Sequence, residues 1–244
     1  MFPRCLPRRA GLEASGFSRV CAFTRLEVCA TLAALGLLAT VVAPGLAQNK
    51  PRSQQAVCAN NLRLIGRAIL LFDAEHGQAD PWRAPRPPEP PATGIENNPW
   101  YQFSTLSNGL PTPRILACPS DTKVPAKDFS SSPDGGFLNP RFRNASVSYL
   151  LGLDSLVAIP DSVLGGDRNI QTQGFTACSS GLNPVPSIFV NGTQYRTAWT
   201  GGLHGDSGNL LFHDGRVEER SSQGLNETFL TPGDDNASYH LLKP

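Results

Sequence analysis

The chain has 244 residues, with 21 Lys and Arg against 20 Asp and Glu, for a formal net charge of +1. That balance excludes a protein built to coat nucleic acid, which needs a basic excess to neutralise phosphates. Its 23 glycines and 22 prolines argue for many turns and short elements, and 40% hydrophobic residues suffice for a core, which excludes general disorder.

In chain order, the charges are unevenly spread. Residues 1–22 carry Arg4, Arg8, Arg9 and Arg19 against Glu13 alone, and Val28 to Ala47 then runs twenty residues without a charge. That length suits one membrane span, and the basic flank places residues 1–22 in the cytoplasm and the remainder outside. Residues 53–76 read as an amphipathic helix. Cys58, Leu62, Ile65, Ile69 and Phe72 share one face, Val57, Leu64, Ala68 and Leu71 widen it, and Gly77 ends it. A stripe this broad predicts packing onto the helix's own domain, with an oligomerisation seam as the competing reading.

Seven prolines between residues 78 and 99 predict an irregular connector. Beyond it, Ser146–Leu151 suits a strand. Ser187–Val190 and Thr193–Trp199 read as a hairpin around Asn191-Gly192, and Asn209–Phe212 and Val217–Arg220 as a second hairpin with Asp214-Gly215 at its tip. The expected fold class is α+β: a long N-terminal membrane-spanning helix followed by a small antiparallel β-rich head.

Ala22-Phe23-Thr24-Arg25-Leu26-Glu27 leads directly into the apolar run, and Pro44 lies inside it. In these residues the chain resembles the type IV pilin-like family, the prepilins and the pseudopilins of type II secretion. The resemblance implies a leader ending at Ala22, a mature protein beginning at Phe23, an assembly role for Glu27 and a helix-bending role for Pro44. Ala22 stands where glycine is usual, and Arg25 where an apolar residue is expected. Cys58-Ala-Asn-Asn-Leu-Arg-Leu-Ile-Gly66, Ile115-Leu-Ala-Cys-Pro-Ser-Asp121, Gly166-Asp-Arg-Asn169 and the His204-x9-Asp214-Gly215 pattern resemble a subgroup from planctomycete- and verrucomicrobia-type bacteria named for that last motif.

The implied organisation is a cytoplasmic leader at 1–22, a transmembrane helix at 23–47 and an amphipathic extension of the helical arm at 48–77. A Pro-rich connector at 78–99 and a β-rich head at 100–244 complete it. The implied function is a non-enzymatic filament subunit held in the inner membrane, with its head in the periplasm. Its expected partners are the prepilin peptidase, other pseudopilin subunits and the inner-membrane assembly platform, and no cofactor is expected. The alternative is an exported soluble protein cut near Ala47, starting at Gln48, with a ligand-binding or enzymatic head.

Of six cysteines, Cys5 and Cys21 belong to the leader and Cys29 to the apolar run, which leaves Cys58, Cys118 and Cys178 outside the membrane. An oxidising compartment permits a disulfide. Cys58–Cys118, joining arm to head, is the first pairing, Cys118–Cys178 the second, and three free thiols the third. His204, His213 and Asp214 suit zinc as residue types, yet hairpin chemistry accounts for Asp214-Gly215 and its neighbour His213, so no metal site is expected. Asp206, Asn209, Asp214, Asp234, Asp235 and Asn236 could offer oxygens to calcium, but Gly233–Asn236 reads more simply as a turn. No phosphate-binding glycine loop and no nucleophile elbow occur.

Overall fold

The computed structural model describes residues 24–84, 98–172, 187–190, 197–229 and 239–244. Helix α1 spans Arg25–Glu75. Two compact units divide at Ala47/Gln48. In the first unit, Leu26, Val28, Leu32, Leu35, Leu37 and Leu38 are exposed. Among the described residues no helix is long and apolar enough to cross a membrane. Of the expected span at 23–47, the structure therefore gives the helix from Arg25 onward. Phe23 and the side chains of residues 39 and 41–47, Pro44 included, lie outside the described residues.

In the second unit, Cys58, Leu62, Ile65, Ala68 and Ile69 are buried on one side of α1. The stripe thus packs onto its own domain, as its breadth predicts. It is narrower than expected, however, because Val57 and Leu71 are exposed at its margins. Gly77, at φ +70°, and Gln78, at φ +64°, turn the chain away after α1. The expected connector then begins as packed structure. The Trp82 indole N–H and the Arg83 guanidinium both donate to the Leu153 carbonyl, at 3.1 and 2.7 Å. Short helix α2 spans Pro99–Thr105, so it takes the connector's last residue.

Strands β1 (Tyr149–Gly152), β2 (Val163–Asp167), β4 (Ser187–Val190), β6 (Ser207–Phe212), β7 (Val217–Ser221) and β8 (Tyr239–Leu242) form an antiparallel sheet in the order β4-β8-β1-β2-β6-β7. Strands β3 (Ile170–Thr172) and β5 (Thr197–Trp199) pair separately, and helix α3 spans Ser222–Phe229. Both faces of the large sheet are covered. Alternation along a strand sends Tyr149, Leu151, Leu164 and Leu211 toward α1, while Leu150, Val163, Leu210 and Phe212 face α3 and Trp199.

The fold is therefore α+β with an antiparallel sheet, and it corrects two of the predicted strand assignments. The strand expected at Ser146–Leu151 starts only at Tyr149, after a 3-10 turn over Arg143–Ser146. The hairpin expected between Ser187 and Trp199 does not form. Its first strand pairs with β8 and its second with β3, in different sheets, while Asn191-Gly192 lies outside the described residues. The Trp199 ring explains the split. It lies so close to the β6 backbone that a Cβ on Gly208 would come within 2.6 Å of it, which holds β5 under the large sheet. The β6–β7 hairpin forms as expected, with Gly215 at φ +85° in its turn.

Candidate functional site

Two buried polar junctions tie the second unit's part of α1 to the sheet. The first gathers four of the sequence motifs. Cys58 of α1 is bonded to Cys118, and Cys178 lies outside the described residues. Three residues after Cys118, Asp121 accepts two hydrogen bonds from Arg168, Nε to Oδ2 and a terminal guanidinium nitrogen to Oδ1, each 2.7 Å. This bidentate pair locks the turn after Cys118 to the end of β2. Burial pushes the Asp121 carboxyl upward, but the bonds and charge of Arg168 outweigh it, and the pKa lies below the ordinary value.

Asp167, beside Arg168, is fully buried. Its Oδ2 accepts from the Asn209 backbone N–H at 2.7 Å and from the Asn209 side-chain amide at 2.9 Å, and its Oδ1 has no hydrogen-bond partner. Burial pushes its pKa up to about 7 against the two bonds from Asn209. His204 closes the group, with Nε2 at 3.4 Å from Cys118 Sγ and 3.6 Å from Asp167 Oδ2. Burial lowers its pKa, which favours the neutral ring. The ring faces the disulfide and Asp167. Deeper in this junction the Asn61 amide donates to the Tyr149 hydroxyl at 3.3 Å.

The second junction lies at the C-terminal end of α1. Asp73, Asp80 and His213 are all buried, and their donor atoms lie within 4.8 Å of one another. His213 Nδ1 is 2.7 Å from Ser155 Oγ, and Ser155 Oγ is 3.2 Å from Ser162 Oγ. Asp80 Oδ2 is 3.5 Å from an Arg83 guanidinium nitrogen. Among the described residues, both Asp73 oxygens, Asp80 Oδ1 and His213 Nε2 find no hydrogen-bond partner. Asp73 and His213 also line a cavity of about 370 Å³.

The structure therefore separates the histidines that the sequence brought together as candidate ligands. His204 belongs to the first junction, His213 to the second. Asp214 accepts from the Arg216 backbone N–H at 2.9 Å in the hairpin turn. Of the residues considered for calcium, Asn209 gives its side-chain amide N–H to Asp167, and 234–236 lie outside the described residues. Asp73 and Asp80 were missed. The signal for Asp73 was available, because it follows Ile69 by four residues and so occupies the apolar stripe, where a carboxylate is out of place. Nothing local marks Asp80.

At the start of α1, the Thr24 N–H and hydroxyl both donate to Glu27 Oε2, at 2.9 and 3.1 Å, while the Glu27 N–H donates to Thr24 Oγ1 at 3.3 Å. This is a reciprocal capping box, legible in the Thr24-x-x-Glu27 spacing. Ala22 and Phe23 lie outside the described residues, and Cys29 is an exposed free thiol. No protein-family model matches the chain, and no curated protein or solved structure matches it either.

Proposed function

We propose that the chain is a pilin-like structural subunit. It is cut after Ala22 by a prepilin peptidase, anchored in the inner membrane, and assembled with other pseudopilin subunits into a type II secretion-like or type IV pilus-like filament. The observation that carries this reading is the exposure of the first stretch of α1. Six large apolar side chains between Leu26 and Leu38 stand 44% to 79% exposed. A surface of that kind needs lipid or neighbouring helices to cover it. The capping box gives Glu27 a place in this scheme. It starts the helix immediately after the cleavage point and holds a carboxylate where the Phe23 amine of an adjacent subunit can pair with it.

Substitution at Glu27 tests the assignment. Gln also serves at the third position of a capping box, whereas Val does not. If the charge recruits a neighbouring amine, Glu27→Gln and Glu27→Val both abolish filament assembly while Glu75→Val assembles normally. Normal assembly of Glu27→Gln would leave Glu27 only its capping role. The measurement is the amount of filament sheared from cells, beside the intact mass of the membrane-bound subunit.

A second reading also has an observation in its favour. The compact unit carrying the sheet begins at Gln48, where an exported protein cut near Ala47 would start. N-terminal sequencing separates the two. An N-methylated Phe23 supports the filament subunit, and a soluble product starting at Gln48 overturns it in favour of a ligand-binding or enzymatic head.

A further inference from the structure

The junction at the end of α1 has an unbalanced charge. Two buried carboxylates, Asp73 and Asp80, face one guanidinium, that of Arg83, and its two terminal nitrogens also donate to the Leu153 and Ser155 carbonyls. A carboxylate left unpaired in a buried site is strongly unfavourable, and a shared proton or a bound cation would relieve it.

The hydrogen-bond chain through the serines shows what His213 contributes. Ser162 Oγ lies 2.6 Å from the Ile159 carbonyl, an acceptor only, so the Ser162 proton is used there. With Ser155 donating to Ser162, its Oγ accepts from His213 Nδ1–H. That places the lone pair of the neutral ring on Nε2, which is buried, has no hydrogen-bond partner, and lies 3.9 Å from Asp73 Oδ2. A lone pair and a carboxylate facing each other at that distance repel unless a proton or a metal ion sits between them.

We propose that Asp73, Asp80 and His213 form a binding site for a divalent transition metal, of which Zn²⁺ fits the donor set best. One imidazole nitrogen and two carboxylate oxygens are zinc ligands, with bonds of about 2.0–2.2 Å that set donors about 3.4 Å apart around a tetrahedral ion. The donors here lie within 4.8 Å of one another, a spacing that small side-chain rotations close. The cavity against Asp73 and His213 supplies an entry path and room for water as the fourth ligand. Ser155 plays the outer part typical of such sites, accepting from the ligating histidine's second nitrogen and fixing its orientation. The ion joins the end of α1, the turn that follows it and the β6–β7 hairpin. This site is independent of whether the chain enters a filament.

The test is zinc binding by the full chain, purified in detergent and stripped with a chelator. Wild type is expected to take up one Zn²⁺ per chain by elemental analysis. Asp80→Asn and His213→Gln, shown to be folded by circular dichroism, should lose it, and Ser155→Ala should bind about 10–100-fold more weakly. His204→Gln should bind normally. No uptake by wild type, or undiminished uptake by folded Asp80→Asn and His213→Gln, would overturn the proposal and leave a proton shared between the carboxyls. Co²⁺ loading of wild type gives a reading that needs no variant. A visible spectrum of nitrogen and oxygen ligation supports the site, and a thiolate charge-transfer band, placing the metal on a free cysteine such as Cys29, overturns it.

Discussion

Asp121 and Asp167 lie at the two ends of one motif-built junction, yet burial acts on them with opposite results. Asp121 receives a guanidinium in bidentate contact, and its ionised form is favoured. Asp167 receives only neutral donors, and its protonated form is favoured, with a pKa of about 7 against 3.8 for the free side chain. A raised carboxyl gives stability that is full below the unfolded pKa and is lost as pH rises through the folded one. The Asp167 contribution therefore declines between about pH 4 and pH 7. The lowered Asp121 does the reverse, and its contribution is lost as pH falls below the ordinary carboxylate range. In urea titrations across this range, Asp167→Asn should lessen the fall in midpoint toward neutral pH, whereas Asp121→Asn should be less stable than wild type at neutral pH and approach it in acid. An unchanged slope in Asp167→Asn would show that Asp167 titrates normally.

Among the elements, β1 and β2 leave no room for a side chain at Gly152. A Cβ on Gly152 would lie 1.9 Å from the Val163 carbonyl oxygen, a backbone atom that cannot swing aside. Gly152→Ala must therefore open the ladder at the middle of the sheet, and a loss above the roughly 1–3 kcal/mol of ordinary overpacking is expected in thermal melts. Period made the packed half of α1 legible, since Cys58, Leu62, Ile65 and Ile69 recur at helical spacing and all are buried. Turn chemistry made the β6–β7 hairpin legible, because Asp214-Gly215 supplies the positive φ that its turn adopts. The pairing of Ser187–Val190 with Tyr239–Leu242 was not legible. Neither four-residue strand carries a local mark of a partner so far along the chain, and the Asn-Gly between the expected hairpin strands pointed to the nearer one.

For the molecule as a whole, the second unit's part of α1 is held to the head near its start by Cys58–Cys118 and at its end by the Asp73 junction. The disulfide closes a loop with a sequence separation of 60, and its removal from the unfolded chain's constraints is worth about 2–4 kcal/mol. Cys58→Ser should lower the melting temperature under oxidising conditions and make it insensitive to reductant, while wild type should fall toward the variant's value once reduced. The chemistry of the first junction was partly legible, because its motif segments stood out in the sequence, but their convergence depends on the tertiary fold. The second junction was obscured by the hairpin explanation of His213, which accounts for the residue's place in the chain and not for its side chain.

Among the described residues, the outermost strand β7 has one side of its backbone without a neighbour in the six-stranded sheet. Consecutive Glu218, Glu219 and Arg220 stand along it, and Arg216 and Arg220 both bind Glu218. Charges on such a border discourage a second molecule from adding a strand to it. Copies of this protein can therefore be crowded together without their heads fusing through this border into extended β-ribbons.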